Sequence, residues 1–408
     1  MIDETHDPYL ESWVESANLP DCEFPIQNLP FVTFRLGAGR ETPGVAIGDR
    51  LLDLGAAFGV ESVRSVMAMP KSARVELRRR VSRFLRERTA GAESMLCPAA
   101  AAELRLPCEI GDYTDFYASL HHATNVGSMF RPDNPLLPNY KWLPVAYHGR
   151  ASSVVVSGTP VRRPWGQVAD APGGPPRFAP SRRLDYELEI GAFLGPGNAL
   201  GEPLSAAEAE EHIVGVCLLN DWSARDIQAW EYQPLGPFLA KNFATSIGPW
   251  VITAEALEPF RRPAEPHDAT LAHLRTTPDG AFDITVEAWL RTARMAEPVQ
   301  LSSAGFASMY WTLGQMVAHH ASNGCPLRAG DLIGSGTVSG PIKRNRGCLL
   351  ELAWKGTDPV VLPNGEARCF LEDGDEIVLR GQCRGEGYRD IGLGECRGVV
   401  LAAREAVQ

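Results

Sequence analysis

The sequence lacks the features that mark membrane and secreted proteins. No apolar run reaches the roughly 20 residues that cross a bilayer. The segment Met1 to Asp7 has neither the basic flank nor the apolar core of a signal peptide. The nine cysteines contain no Cys-x-x-Cys pair, and an odd number cannot form a complete disulfide framework. We therefore expect a cytoplasmic protein with reduced thiols and no membrane partner.

Basic character and nucleotide-binding motifs are missing as well. The chain has 39 Lys and Arg against 50 Asp and Glu, and a formal charge of -11 disfavours nucleic acid as a partner. Despite 39 glycines, neither a Walker loop nor Gly-x-Gly-x-x-Gly occurs in a suitable context, so no nucleotide cofactor is indicated. Without His-Glu-x-x-His or paired cysteines, a zinc site has no support.

The 408 residues are 44% hydrophobic, enough for a large core and two or three domains. Short apolar runs between Gly, Pro and Asp predict a mostly β fold with some α, including a strand over Leu349–Ala353. An apolar stripe predicts a helix over residues 71–89, with its arginines on a solvated face. The Ala- and Pro-containing stretch Cys97–Pro107 is typical of a linker, so we expect a domain boundary near residue 106.

Residues Leu184–Ile190 alternate strictly between apolar and other residues. This period places Asp185, Glu187 and Glu189 on one face of a predicted strand. Alternate residues lie roughly 7 Å apart on a strand, so such acids can share one cation. The pattern also fits an amphipathic strand whose acidic face is solvated.

Two further segments carry oxygen ligands. Asp112–Tyr117 opens the predicted second domain, and Asn220–Gln228 follows an apolar run. Combined with Glu187 and Glu189, they supply enough carboxylates for a hard cation such as Ca²⁺ or Mg²⁺. The sequence therefore favours a metal site over a merely solvated acidic face.

Several longer motifs resemble the full-length, two-domain members of the fumarylacetoacetate hydrolase family. The resemblance covers nearly the whole chain and rests on these runs: Phe24–Pro30, Asp112–Tyr117, His122–Gly127, Tyr147–Ser153, Asn220–Gln228, Gln233–Phe238 and Gly334–Pro341. It implies an SH3-like N-terminal β-barrel over residues 1–106 and a C-terminal mixed β-roll, the catalytic domain, over residues 107–408. It also implies a homodimer with Ca²⁺ or Mg²⁺, or both, in each active site.

The resemblance assigns roles to individual residues. The implied metal ligands are Asp115, Glu187, Glu189 and Asp221, while Lys241 and Thr245 lie near a second, more peripheral Mg²⁺. Asp185 matches a position that is not a ligand, so we expect it to be hydrogen-bonded or solvated.

The implied reaction is hydrolysis of a carbon-carbon bond in fumarylacetoacetate, a β-diketo acid, to fumarate and acetoacetate. His122 is the implied general base and Glu351 the carboxylate that orients it, while Arg225, Gln228 and Lys241 stabilise the tetrahedral alkoxide. The implied substrate contacts are Tyr117, Arg131, Gln228, Tyr232 and Thr337. The substrate carries two carboxylates, which arginine can hold bidentately.

Two other functions remain open. A related hydrolase of acylpyruvates, or a decarboxylase of oxaloacetate, would use the same enolate-stabilising site. A non-catalytic, metal-stabilised dimer would retain the acids without needing His122 and Glu351.

Overall fold

The structure is a computed structural model that describes residues 2–171, 174–267, 270–275 and 279–405. The α-helices in these ranges are Leu54–Phe58, Val63–Met67, Lys71–Arg86, Leu120–Phe130, Ala206–Glu211, Arg225–Glu231, Leu313–Ala321 and Leu349–Leu352. None of the helices in the described ranges is both long and apolar enough to span a bilayer.

The first sheet, called the N-terminal sheet, is antiparallel throughout. Its strands lie in the order Leu96–Pro98, Arg50–Asp53, Glu41–Ile47, Phe31–Leu36 and Ala102–Leu104. Phe31–Leu36, the first strand of the chain, pairs with the edge strand Ala102–Leu104. The SH3-like N-terminal β-barrel stays a prediction.

The second sheet, called the central sheet, mixes parallel and antiparallel pairs. Its strands lie in the order Ala146–His148, Tyr113–Phe116, Leu332–Gly334, Leu188–Leu194, Ile213–Asp221, Thr245–Ile247 and Val154–Val156, and Ile252–Thr253 also pairs with Ile213–Asp221. Parallel pairing joins Tyr113–Phe116 to Leu332–Gly334, and Thr245–Ile247 to Val154–Val156.

The third sheet, called the C-terminal sheet, runs in the order Val299–Gly305, Ile284–Arg291, Glu376–Cys383, Ile391–Leu401 and Val161–Arg162. Two-stranded ribbons complete the β structure: Trp165–Val168 with Arg177–Pro180, Leu184–Asp185 with Ser223–Ala224, Arg261–Arg262 with Ala281–Phe282, and Val360–Val361 with Ala367–Arg368. The predicted mostly β fold with some α is confirmed.

The N-terminal sheet and the central sheet share a core. Val45 and Leu52 from the former belong to the same buried apolar cluster as Phe193 and Leu219 from the latter. A backbone bridge between Phe31 and Val251 also joins the two parts of the chain. The domain boundary near residue 106 stays a prediction, since packing across it is continuous.

Two expectations about local structure are wrong. Leu349–Leu352 is a helical turn instead of a strand, because tertiary hydrogen bonds to its first N–H groups override a short apolar pattern. The arginine-bearing helix forms over Lys71–Arg86, but Arg74 and Arg78 on it are buried instead of solvated. Arg78 donates to backbone carbonyls of Gln27 and Asn28, which anchor it.

Candidate metal centre and catalytic dyad

Strand pairing in the central sheet brings four carboxylates together. Glu189 lies on Leu188–Leu194, next to the strand that ends at Asp221, and Asp115 pairs with Gly334 on the other side. Glu187 immediately precedes its strand. One oxygen from each of these four acids lies within 4.8 Å of the others, and all four side chains are buried. The structure thus brings together the four predicted ligands.

The electrostatics of this carboxylate cluster favour a cation. Burial, followed by repulsion from Asp221, raises the pKa of Asp115 well above its ordinary value. Burial, followed by repulsion from Asp115 and Asp221, raises the pKa of Glu189 in the same way. Oε1 of Glu189 is buried and has no hydrogen-bond donor within the described ranges. Hard divalent cations such as Ca²⁺ and Mg²⁺ prefer carboxylate oxygens as ligands, so this donor set fits such a cation.

Glu187 differs from its neighbours because cations contact it. Burial opposes ionisation, but Lys241 and Arg225 hold the pKa of Glu187 well below its ordinary range. Nζ of Lys241 lies 2.8 Å from Oε1 of Glu187 and also pairs with Asp221. An ammonium group has no lone pair to donate to a metal. The Lys241 side chain is therefore an ion-pair partner of the cluster, and its place beside a second Mg²⁺ stays a prediction.

Thr245, the other residue assigned to the second Mg²⁺, lies on the neighbouring strand. Its hydroxyl donates to Oδ1 of Asp221 at 3.2 Å. Its role in binding a second cation also stays a prediction.

His122 and Glu351 form a buried pair beside the cluster. Nδ1 of His122 lies 2.6 Å from Oε2 of Glu351. Asn125 and Ser339 donate to the same carboxylate, each at 2.8 Å. Burial opposes ionisation, yet His122 and these donors hold the pKa of Glu351 at about 2. Glu351 is therefore a carboxylate at neutral pH, able to stabilise a protonated imidazole.

Local structure fixes His122 in place. The helix Leu120–Phe130 begins at Ser119, whose hydroxyl accepts from the backbone N–H of His122. His122 is buried, while its neighbour His121 is only partly so. The role of His122 as general base stays a prediction.

A cavity of about 650 Å³ lies above the cluster and the dyad. The predicted residues that line it are Asp115, Tyr117, His122, Arg131, Glu187, Arg225, Gln228, Tyr232 and Lys241. Thr337 lies deeper, where its hydroxyl donates to Oε2 of Glu187 at 3.0 Å. Its predicted contact with substrate stays a prediction.

Arg225 reaches the cavity from the helix Arg225–Glu231. Its NH1 lies 2.6 Å from Oε1 of Glu187 and donates to Oε1 of Gln228 at 3.3 Å. Burial disfavours its charge, but Glu187 and Asp185 raise the pKa of the guanidinium above its ordinary value. A permanent positive charge therefore faces the cavity.

Sequence reasoning gave no role to several polar residues of the site. Tyr147 donates to Oδ2 of Asp221 at 2.6 Å, and Ser223 donates to Oε1 of Glu187 at 2.8 Å. Tyr147 lies in the motif Tyr147–Ser153, which was the only signal for it. Asn125 and Ser339 also lie within motifs that resemble the family, His122–Gly127 and Gly334–Pro341, but their contacts with Glu351 depend on the fold.

The fold and the site are those of an enzyme with a carboxylate metal centre and a histidine-carboxylate pair. A family described as Fumarylacetoacetate (FAA) hydrolase C-terminal matches residues 112–401. Fumarylacetoacetase from Homo sapiens is 48% identical to this chain, and the match covers 94% of this chain and 97% of the human protein. Fumarylacetoacetase from Dictyostelium discoideum is 45% identical to this chain, and the match covers 97% of this chain and 98% of the Dictyostelium protein. The chain belongs to the fumarylacetoacetase family.

Solved structures share the fold at low sequence identity. Fumarylacetoacetate hydrolase from psychrophilic Exiguobacterium antarcticum gives a TM-score of 0.54 at 18% identity, over 92% of this chain and 99% of that chain. Maleylpyruvate hydrolase from Sphingobium sp. SYK-6, in complex with manganese(II) and pyruvate, gives 0.52 at 17% identity, over 92% and 100%.

Proposed function

We propose that this protein hydrolyses fumarylacetoacetate to fumarate and acetoacetate, the last step of tyrosine and phenylalanine breakdown. The observation that carries the proposal is the 2.6 Å contact between His122 and Glu351 at the cavity that the carboxylate cluster also faces. The similarity to curated fumarylacetoacetases over almost the full length of the chain supports the same substrate.

The four carboxylates Asp115, Glu187, Glu189 and Asp221 would hold Ca²⁺ or Mg²⁺. When bound, the cation supplies Lewis-acid stabilisation for the enolate character that develops on the leaving acetoacetate. The second, peripheral Mg²⁺ would rest on backbone or hydroxyl oxygen near Lys241 and Thr245, because the ammonium of Lys241 is directed at Glu187 and Asp221.

His122 serves as the general base. Glu351 holds Nδ1, which leaves Nε2 to accept a proton from water. The resulting imidazolium is stabilised by a carboxylate that stays ionised at neutral pH. The activated water attacks the carbonyl next to the fumaryl group and forms the tetrahedral alkoxide. Collapse of the alkoxide breaks the carbon-carbon bond to the acetoacetate carbon and releases fumarate, and the leaving enolate takes up the proton that His122 holds, which yields acetoacetate and restores the base.

Arg225, Gln228 and Lys241 stabilise the tetrahedral alkoxide. Two of these are cationic, since the carboxylates around them raise the pKa of both Arg225 and Lys241 despite burial. Removal of one donor of this kind typically costs about 3 kcal/mol of barrier. Their positions on the cavity wall support this role.

The remaining cavity residues hold the substrate. Arg131 anchors a terminal carboxylate, and its buried Nε has no hydrogen-bond partner within the described ranges. Tyr117 and Tyr232, which also line the cavity, supply hydroxyls, together with the amide of Gln228. Thr337 also contacts the substrate when its hydroxyl donates to the substrate in place of Glu187.

We further propose that the protein acts as a cytoplasmic homodimer. All nine cysteines are free thiols, which supports a reducing compartment. Leu235 is 96% exposed and Phe238 67% exposed at the cavity mouth, an apolar rim that a second copy can cover. Light scattering on the purified protein would show a single species of twice the monomer mass, and a monomer would contradict the proposal.

The experiment that tests the function follows the β-diketone absorbance of fumarylacetoacetate after addition of purified protein. The same assay is run with acylpyruvates and oxaloacetate, after chelation, and after restoration of Ca²⁺ or Mg²⁺. Metal-restored cleavage of fumarylacetoacetate alone would support the assignment. Turnover of acylpyruvates instead would indicate the rival hydrolase, a comparison made relevant by the shared fold with a maleylpyruvate hydrolase. No turnover at all would indicate the non-catalytic dimer.

A further inference from the structure

Asp185 is a buried acid that the proposed function does not use. The alternation of Leu184–Ile190 placed it with the metal ligands, but the chain leaves the strand between Asp185 and Leu188. Asp185 is 0% exposed and is not a member of the carboxylate cluster. A fully buried carboxylate needs cationic or hydrogen-bonding partners. Those of Asp185 are Arg225 and the start of the helix that carries Glu351.

The first set of partners is the guanidinium of Arg225. Nε of Arg225 donates to Oδ2 of Asp185 at 2.9 Å, and NH2 lies at the same distance from that oxygen. The outer nitrogen NH1 is thereby left to face Glu187 and Gln228. Asp185 therefore fixes the orientation of the planar Arg225 guanidinium at the cavity.

The second set of partners is the start of the helix that carries Glu351. The backbone N–H of Leu349 donates to Oδ1 of Asp185 at 2.8 Å, and that of Leu350 donates to Oδ2 at 3.0 Å. Cys348, the residue at the N-cap position, makes no capping hydrogen bond with its own side chain. Asp185 supplies that cap from a distant part of the chain.

We propose that Asp185 is a positioning residue that sets Arg225 and Glu351 relative to each other. Its carboxylate joins the alkoxide-stabilising side of the site to the general-base side. The proposal rests on the proposed function, because only that function gives Arg225 and Glu351 catalytic roles. Asp185 itself does not touch the substrate.

The matched control is Asp375. It is 1% exposed, pairs with Arg368 at 2.8 Å and 3.0 Å, and accepts from the backbone N–H of Glu372 at 2.8 Å. This buried Arg-carboxylate-backbone unit does not line the cavity. Asp375→Asn therefore reports the cost of disturbing such a unit away from the site.

The test compares Asp185→Asn with Asp375→Asn at saturating metal. We expect Asp185→Asn to lower kcat about 10- to 100-fold with KM changed less than threefold, and Asp375→Asn to leave kcat within twofold. In a double-mutant cycle, the loss caused by Asp185→Asn should shrink in both the Arg225→Gln and Glu351→Gln backgrounds. A kcat of Asp185→Asn equal to that of wild type would overturn the proposal. So would a fold-loss from Asp185→Asn that is as large in both the Arg225→Gln and Glu351→Gln backgrounds as in the wild-type protein.

Two further measurements test the proposal if Asp185→Asn does not fold, or if the wild-type protein is inactive on fumarylacetoacetate. If Asp185→Asn does not fold, Asp185→Glu retains the charge but displaces both partners, and an unchanged kcat would contradict the proposal. Amide hydrogen exchange of the peptide spanning residues 347–352 needs no activity. Exchange at least tenfold faster in Asp185→Asn than in Asp375→Asn is expected, and equal exchange would overturn the anchoring role even for a wild-type protein inactive on fumarylacetoacetate.

Discussion

Nδ1 of His122 lies 2.6 Å from Oε2 of Glu351, although 229 positions separate the two residues in the chain. Both are buried, and the carboxylate also accepts from Asn125 and Ser339. Because Nδ1 is the nitrogen that Glu351 engages, the imidazole is held in one orientation. Nε2 is thereby free to act as the base.

Glu351→Gln removes the charge of the dyad while preserving its shape. We expect kcat to fall about 100-fold or more, because an amide stabilises the protonated imidazole far less than a carboxylate does. Metal affinity should stay within threefold, since Glu351 is not part of the carboxylate cluster. Steady-state kinetics and calorimetric Ca²⁺ titration check this, with Glu372→Gln as the exposed control. An equal loss in the control, or a kcat within threefold of wild type, would contradict the role of Glu351.

Much of this site could be predicted because its motifs are contiguous. Asp115, His122 and Asp221 lie in runs of six to nine residues, and each keeps the predicted neighbours in the fold. The alternating acids were harder to interpret. A period of two predicts one shared face, but the break after Asp185 turns that carboxylate to Arg225 while Glu187 and Glu189 join the cluster.

The helical turn Leu349–Leu352 could not be predicted from its own residues. Three leucines and one glutamate fit a strand as well as a helix. The helical turn is stabilised by Asp185, which lies 164 positions from Leu349 in the chain. Likewise, an arginine on a charged helix face is usually solvated. Arg78 is buried because the backbone carbonyls of Gln27 and Asn28 accept hydrogen bonds from its guanidinium.

The carboxylate cluster makes the stabilising effect of metal dependent on pH. The pKa values of Asp115 and Glu189 are raised in the metal-free fold, so their contribution to stability is complete below about pH 4 and is lost as pH rises through the raised values. A bound cation removes this loss. We therefore expect the increase in Tm caused by Ca²⁺ over chelated protein to grow from about pH 4 upward.

Thermal denaturation with and without Ca²⁺, at a series of pH values, measures this difference. Taking the difference cancels groups with depressed pKa values, such as Glu351, whose stabilisation is lost as pH falls instead. Asp115→Asn should flatten the pH dependence and reduce the increase itself. A Ca²⁺-induced increase in Tm that is the same at every pH would show that these acids are not the ligands.

Arg131→Lys tests the anchoring of the substrate carboxylate. Arg131 lines the cavity with a buried Nε that has no partner within the described ranges, and lysine cannot reproduce the bidentate fork. KM should rise about tenfold with kcat within threefold, as for a lost contact that ground and transition states share. Arg150→Lys, on an exposed arginine outside the cavity wall, is the control and should change neither constant. A lower kcat at constant KM would instead place Arg131 in the chemical step.

Arg78→Met tests the attachment of the arginine-bearing helix. The guanidinium of Arg78 donates to Thr5, Gln27 and Asn28, and burial lowers the pKa of this group to about 10. Methionine keeps much of the volume but leaves two carbonyls without that donor, so the free energy of unfolding should fall by about 3 kcal/mol. Urea denaturation measures the loss, and Arg83→Met on the exposed side of the same helix should cost less than 0.5 kcal/mol. Because Arg78 does not line the cavity, kcat of the folded variant should stay unchanged. Equal stability of the two variants would mean that these hydrogen bonds do not anchor the helix.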